Sequence, residues 1–355
     1  MQKGSDMRVF AGIDEAGYGP KFGPLTAGRC VLAVEDGGGG NDALDFWALL
    51  REAVCRKPRD PDQRIAVADS KKLTVSGKHG HAAVPHLERA VLTFGGLHEE
   101  SFAVPADVGS LLEGLGSRHH LRDDLPTWYV PEAHVPWDVL PVATPTIAKR
   151  NGHSAESLSL DAGLLRRAAR QAGVSAAMSE KCLGVAVLCE DAYNAKLARS
   201  ASKADVSFTL IAHHLRHVWQ RYGQVHPYVV IDRQGGRTRY SATLARALPG
   251  ASVSIVEEHA DASAYELRDQ VAGRSMSVRF MPKADDLHLS VALASMTAKY
   301  VREIYMARFQ RWFTRRLPEI KSTAGYGTDA NRFAAEVRPH LASLGIAGDT
   351  LIRRA

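Results

Sequence analysis

The chain opens with two apolar runs that predict a pair of strands. Residues 9–13 and 25–34 are rich in apolar and β-favouring side chains, and a stretch dense in glycine and proline separates them. Two such runs joined by a short connection indicate an antiparallel hairpin. Apolar residues then recur at helical spacing in ALDFWALLREAV, which predicts a helix after a glycine-rich surface loop.

The regular pattern breaks down between about residues 97 and 181. The segment LPTWYVPEAHVPWDVLPVATP carries prolines too closely spaced for a continuous helix, yet it also holds Trp128, Tyr129 and Trp137. Aromatic residues argue against simple disorder. We therefore expect an ordered, loop-rich insertion that leads into a helix near residues 158–171.

Strands and helices alternate in the remainder of the chain. Buried strands are predicted at LGVAVLCE and HPYVVIDRQGG, with the amphipathic helix ADVSFTLIAHHLRHVWQRYG between them. Two further strands are predicted at ASVSIVEEHA and SMSVRFMPKA. A long helix, LHLSVALASMTAKYVREIYMARFQRWF, and a last helix, NRFAAEVRPHLASLG, follow. A hairpin followed by alternating elements indicates an α/β fold with a mixed sheet flanked by helices.

Composition narrows the class of protein. The chain has 355 residues, 45% of them hydrophobic and 24% charged, which suffices for a sizeable core. A net charge of +6 fits an anionic partner without requiring one. The four cysteines form no Cys-x-x-Cys pair, so we expect reduced thiols and a cytoplasmic protein. We also expect no signal peptide and no membrane contact, because no apolar run approaches the ~18 residues that span a bilayer.

Acidic residues follow three of the predicted strands. Asp14 and Glu15 end the first strand, Asp232 ends another, and Asp285 and Asp286 follow a third. Each acid alone is most simply a helix cap or a turn residue. In an open α/β sheet, however, strand ends converge on one edge. Oxygen ligands gathered there without His or Cys suit Mg²⁺ or Mn²⁺, so the joint pattern favours a metal site.

An ordered set of motifs carries a family resemblance. GIDEAGYGPKFGPLTAG, DSKKLT, VVIDRQGG, KADDLHLSVALASMTAKYVRE and GYGTDANRF resemble, in this order, the type 2 ribonucleases H, the HII and HIII group. The resemblance covers roughly residues 7–91 and 182–345. It implies one ribonuclease H-like catalytic domain over residues 1–345, interrupted by the insertion at about 97–181, and a C-terminal tail at 346–355.

The resemblance implies an activity and its residues. The catalytic carboxylates would be Asp14, Glu15, Asp232 and Asp285, with Asp286 as a possible substitute for Asp285. They would hold two divalent cations, Mg²⁺ or Mn²⁺, about 4 Å apart, and Asp14 would contact both. The reaction would be endonucleolytic hydrolysis of the RNA strand of RNA/DNA hybrids, leaving 5′-phosphate and 3′-hydroxyl ends.

The same motifs imply substrate-binding residues, namely Gly17, Tyr18, Gly19, Lys71, Lys72 and Tyr326. Glycines let the backbone approach a ribose, whose 2′-hydroxyl distinguishes RNA from DNA. The two lysines could instead be solvated, and Tyr326 could be a core residue. Ser290, Ser295 and Lys299 more simply allow a helix to pack closely on the sheet.

Several alternatives stay open. Ribonucleases HII carry Gly-Arg-Gly where this chain has Tyr18, and the spacing of the following residues is closer to HIII, so the substrate preference is undecided. A protein of the same fold could bind nucleic acid without cutting it. Another ribonuclease H-like metal nuclease could act on DNA alone. The role of the insertion, protein partners and the oligomeric state are also undecided.

Overall fold

The computed structural model describes most of the chain. The described residues are 7–35, 44–69, 72–73, 84–98, 104–105, 107–117, 119, 122, 124–130, 153–177 and 181–354. Among the predicted positions, Lys71 and Trp137 lie outside the described residues.

Within the described ranges, eight strands form one mixed sheet and two short strands pair separately. The strands are β1 (Met7–Ala16), β2 (Leu25–Glu35), β3 (Val54–Cys55), β4 (Ile65–Ala66), β5 (Val174–Ala176), β6 (Leu183–Leu188), β7 (Tyr228–Asp232), β8 (Ser252–Glu258), β9 (Ser263–Asp269) and β10 (Arg274–Met281). The main sheet has the order β5-β2-β1-β7-β10-β9-β8, and β6 pairs with β2 beside β5. In the main sheet, β1, β7 and β10 are mutually parallel, whereas the other pairs of this sheet are antiparallel.

The described helices are α1 (Phe46–Leu49), α2 (Val84–Gly95), α3 (Val108–Gly114), α4 (Ala155–Gln171), α5 (Glu190–Leu197), α6 (Lys203–Tyr222), α7 (Ser241–Ala247), α8 (Ala284–Leu287), α9 (Leu289–Arg316), α10 (Gly327–Val337) and α11 (Gly348–Leu351). Hydroxyl and carboxylate caps begin several of them, since Asp45, Ser154 and Ser202 each accept a bond from a backbone amide of the first turn. Helices pack on both faces of the sheet, so the predicted fold class, a mixed sheet flanked by helices, is confirmed.

Local predictions mostly hold, but one predicted helix is too long, and several elements, among them β5 and β9, were not predicted. The hairpin, the alternating elements after residue 182 and the long helix α9 are where the pattern placed them. The helix predicted at ALDFWALLREAV is wrong beyond its first turn, because the chain leaves α1 at Leu50 and enters β3. Strand β9 was not predicted, since charged residues alternate along it on its half-exposed face.

Helix α9 lies across the first face of the sheet. Its residues share a core with Phe10, Tyr228 and Val230. A Cβ on Gly12 would lie 2.2 Å from the backbone carbon of Ser290, so the two backbones meet there and only glycine fits. This contact confirms the predicted packing role of Ser290.

Helices α6 and α7 cover the opposite face. Val9, Ala11 and Ile13 of β1 point into this second core, together with Val229 and Ile231 of β7. Successive residues of a strand alternate between faces. The strand position of each acidic residue therefore determines which helix it meets.

Part of the insertion packs on the main fold. Trp128 and Tyr129 are 4% and 0% exposed. The Trp128 ring contacts the rings of Phe309, Trp312 and Phe313 on α9, at centroid distances of 6.4 Å each. These two aromatics of the predicted insertion therefore pack on the main fold, whereas the division into one domain, insertion and tail stays a prediction.

The C-terminal residues 346–354, which we name the C-terminal strap, lie against the body of the fold. Ile346, Leu351 and Arg353 are all buried. Asn194 on α5 holds the strap from both sides, because its amide donates to Ile352 O at 2.8 Å and its carbonyl accepts from Arg354 N at 2.8 Å. Among the described helices, none combines the length and apolar character that crossing a bilayer requires.

Candidate active site

Asp14 and Asp232 lie at the ends of two neighbouring parallel strands. Ile13 of β1 pairs with Ile231 of β7, so the next residue of each strand is an aspartate at the same level of the sheet. Both isoleucines face α6. By the alternation of the strand, both aspartates face α9.

Each of these two carboxylates is held by hydrogen bonds. Asp14 is 9% exposed and accepts bonds from Glu15 N, at 2.7 Å, and from the Ser295 side chain on α9. Asp232 Oδ1 accepts from Ala284 N at 2.9 Å, at the start of α8. Burial, followed by the charge of Asp232, raises the pKa of Asp14 well above its usual value. Ser295 therefore contacts one of the predicted site acids directly.

Asp285 joins this pair from α8 rather than from a strand. β10 ends at Met281, and the chain turns through Lys283, whose φ is 56°, into the single turn of α8. Burial, followed by the charges of Asp232 and Asp69, raises the pKa of Asp285 to about 6. Asp285 therefore lies near enough to Asp232 for their charges to interact.

Asp286 points to a different set of partners. Its carboxylate lies 2.5 Å from Lys72 Nζ, and its backbone carbonyl accepts from Arg56 Nη1 at 2.7 Å. Asp286 is thus paired with a surface lysine, and the preference for Asp285 over Asp286 stays a prediction.

Glu15 follows Asp14 on β1 and faces α6. Its Oε2 accepts a hydrogen bond from Ser207 on that helix. Burial raises the pKa of Glu15 to about 7, a bond from Gln234 opposes the shift, and the charge of Asp232 adds to it. The structure thus places Glu15 on the other face of the strand, but close enough to Asp232 for their charges to interact. The adjacent acids that end β1 reduce their mutual repulsion by facing opposite sides.

The donor set fits a hard divalent cation. Among the residues that the structure describes, no group of three or more His, Cys, Asp or Glu side chains is close enough together to hold one ion. Mg²⁺ commonly takes only one or two carboxylates from the protein and completes its shell with water and substrate phosphate. Asp232 has a carboxylate neighbour in Asp14 and another in Asp285, and a cation would offset the repulsion within each pair.

Residues 17–24, which we name the glycine loop, follow directly after the acids. Gly17 has a φ of 86°, and a Cβ there would lie 2.6 Å from Arg302 Nε, so a larger residue would be strained and would clash. Gly19 is different, because the space around its Cβ position is open to 4 Å. Tyr18 between them is 38% exposed. The outer part of the loop is accessible to a ligand.

Tyr326 lies beside the same loop. It is 49% exposed, which excludes the core position considered from the sequence, and the Arg302 guanidinium lies 5.3 Å from its ring centroid. The preceding Gly325 accepts a bond from Lys21 N at 2.8 Å. The described substrate-binding candidates thus form two groups: Gly17, Tyr18, Gly19 and Tyr326 at the glycine loop, and Lys72 beside α8.

Some neighbours of the site could not be identified from motifs alone. Asp69 belongs to the quoted motif DSKKLT, and its charge acts on both Asp232 and Asp285. The one sequence feature that could have identified Asp69 as a neighbour of the site is its position beside Lys71 and Lys72 in this motif. Gln234 also belongs to a quoted motif, VVIDRQGG, whereas Ser207 reaches Glu15 from a distant part of the chain where no motif indicates it.

No family model matches the chain, and no curated protein matches it. Among solved structures, the ribonuclease H2 from Pyrococcus horikoshii OT3 is similar, with 15% identity, 97% of this chain and 92% of that chain covered, and a TM-score of 0.40. The RNase HII in the PCNA:RNase HII complex from Archaeoglobus fulgidus shows 14% identity, 97% and 93% coverage, and a TM-score of 0.38. Bst-RNase HIII in complex with Mn²⁺ shows 15% identity, 99% and 67% coverage, and a TM-score of 0.39. These three solved structures carry the names RNase HII, ribonuclease H2 and RNase HIII.

Proposed function

We propose that the protein is an endonuclease that hydrolyses the RNA strand of RNA/DNA hybrids. The observation that carries this proposal is the placement of Asp14 and Asp232 side by side at two parallel strand ends, with Asp285 following on α8. The motif resemblance to type 2 ribonucleases H supplies the reaction class. The nearby glycine loop supplies a surface that a ribose can approach.

Asp14, Asp232 and Asp285 are the residues that would hold divalent cations, with Glu15 acting from the other face of β1. Bound Mg²⁺ or Mn²⁺ would activate the attacking water and stabilise the leaving oxygen of the phosphodiester. The products would carry 5′-phosphate and 3′-hydroxyl ends.

The protein's own groups fix the carboxylates for this task. Ser295 hydrogen-bonds to Asp14, and the amide of Ala284 fixes Asp232. Such partners orient metal-binding carboxylates, and losing one typically lowers metal affinity or activity about 10- to 100-fold. Lys72 pairs with Asp286 at the rim and offers a positive charge for a phosphate.

Recognition of the ribose falls to the glycine loop. The open space at Gly19 allows a backbone group to reach a 2′-hydroxyl, and Tyr326 presents an exposed ring face to a sugar or base. All four cysteines are buried free thiols, which suits action in the cytoplasm.

Cleavage of labelled substrates tests the proposal. Wild type and Asp14→Asn are incubated with an RNA/DNA hybrid, duplex RNA and duplex DNA, each with Mg²⁺ or Mn²⁺. We expect the wild type to cut only the RNA strand of the hybrid and the variant to be inactive. Equal cleavage of duplex DNA would identify a DNA nuclease instead, and hybrid binding without cleavage would identify a binding protein.

A further inference from the structure

Buried polar groups hold the glycine loop from beneath. Gly23 N donates to Glu190 Oε1 at 2.8 Å, and Arg302 Nη2 donates to Phe22 O at 3.0 Å. The C-terminal strap adds a bond from Arg353 N to Lys21 O at 2.9 Å. Consecutive loop residues thus each have a backbone group bound to a different part of the fold.

Arg353 makes two hydrogen bonds to this loop. Besides its backbone bond to Lys21, its guanidinium Nη2 donates to Pro20 O. The side chain is 4% exposed and lies over the Tyr193 ring, 5.0 Å from the centroid. The strap itself is anchored by Asn194, so Arg353 has little freedom to follow the loop if the loop moves.

The energetics of this arrangement favour a positioning role. Burying a guanidinium is unfavourable unless opposite charge and hydrogen bonds compensate. Glu190 is the main opposite charge acting on Arg353, and within the described part of the chain the Nε and Nη1 donors of Arg353 have no hydrogen-bond partner. Because two of its donors have no partner, the Arg353 guanidinium adds little to the net stability of the fold. We infer that its main effect is on the position of the loop residues to which it is hydrogen-bonded. Its hydrogen bonds lie directly under the exposed residues of the glycine loop.

We propose that Arg353 is a positioning residue. Its hydrogen bonds fix the position of the glycine-loop backbone and so determine how closely this backbone approaches a bound ribose. The proposal rests on the proposed function, because it assigns that loop to hybrid recognition. It adds a residue far along the chain, in the C-terminal strap, to the determinants of substrate affinity.

The first test compares two variants that each remove one arginine. Arg353→Met removes the buried guanidinium, and Arg354→Met removes an exposed one at the next position. Loss of a charge-assisted hydrogen bond to the loop should raise KM for the hybrid by roughly tenfold or more. The value of kcat should stay within about twofold, because the loop binds substrate and transition state alike. Arg354→Met should match the wild type in both constants.

A second readout does not depend on activity. Amide hydrogen exchange of the full-length protein without substrate should be faster at residues 17–24 in Arg353→Met than in the wild type or Arg354→Met, with exchange in β1 unchanged. Exchange reports local opening, which the lost bond would make easier. If the wild type cuts no hybrid, the proposed function fails, and the exchange measurement still decides whether Arg353 holds the loop.

Unchanged KM together with unchanged loop exchange in Arg353→Met would overturn the proposal. A fall in kcat with KM unchanged would also overturn it, because that result assigns Arg353 to the chemical step. If the Met variant does not fold, Arg353→Lys replaces it, since an ammonium keeps the charge and loses the planar fork. In that variant, wild-type KM and wild-type exchange would count against the proposal.

Discussion

Replacing Glu190 with glutamine is expected to change how the stability of the protein depends on pH. Glu190 is fully buried at the start of α5, where its Oε1 accepts bonds from Gly23 N and the Tyr129 hydroxyl, each at 2.8 Å. Burial raises the pKa of Glu190 from 4.5 to about 7, although these hydrogen bonds and the charge of Arg353 oppose the shift. The folded state therefore binds the proton more tightly than the unfolded state does.

The sign of the effect follows from this difference in pKa. Between pH 4.5 and about 7 the folded protein carries more protons at Glu190, so its free energy of unfolding falls as the pH rises. The contribution is fully present below pH 4.5 and is lost as the pH passes through about 7. A shift of this size corresponds to about 3 kcal/mol, at 1.36 kcal/mol for each pKa unit.

Urea unfolding at several pH values from 5 to 8 measures the effect. Glu190→Gln keeps a neutral side chain of similar shape, so the free energy of unfolding of the variant relative to the wild type should increase by about 3 kcal/mol over this range. Glu319→Gln, at an exposed position, controls for the lost negative charge. The difference between pH values is the informative quantity, because a change in packing or hydrogen bonding at position 190 would affect the free energy of unfolding equally at every pH. If the free energy of unfolding depended on pH in the same way for the wild type and Glu190→Gln, the pKa of Glu190 would not be raised in the folded protein.

Three other substitutions give separate predictions. Trp128→Ala should lower the free energy of unfolding by about 3–5 kcal/mol in chemical denaturation, because it empties a buried ring site against α9; a loss below about 1 kcal/mol would show that the insertion packs loosely. Asp285→Asn should lower hybrid cleavage roughly a hundredfold or more and Asp286→Asn by less than about tenfold, and the reverse order would exchange their roles. The wild type should cut a hybrid with four or more ribonucleotides faster than a duplex with a single ribonucleotide, and Tyr18→Arg should improve cleavage of the latter roughly tenfold through a phosphate contact; equal wild-type rates on both substrates would contradict this.

The parts of the fold that depend on local periodicity were predictable. The hairpin of β1 and β2, the strand β7 and the long helix α9 each bury one continuous apolar pattern. The acids were recognisable because they interrupt such patterns at strand ends. That Asp14 and Glu15 face opposite sides also follows from strand alternation, although the family resemblance implies that they act together.

Long-range contacts account for what was missed. Asp69 acts on Asp232 across nearly half the chain, and Ser207 reaches Glu15 from α6. Arg353 contacts the glycine loop, near the other end of the sequence. Such contacts depend on how the helices and strands pack, so they cannot be predicted from the spacing of residues along the chain. Helix α1 is shorter than predicted for a related reason. The chain leaves the helix after Leu50 because β3 pairs with β4, a contact between separate segments of the chain.

We propose that the acids at the strand ends share divalent cations, and anomalous diffraction from crystals soaked in Mn²⁺ tests this proposal. Manganese should lie about 2 Å from carboxylate oxygens of Asp14 and Asp232, with Asp285 contributing, and this signal should be lost in Asp14→Asn. Manganese bound only elsewhere on the protein, or an unchanged signal in Asp14→Asn, would show that these acids do not hold the cations.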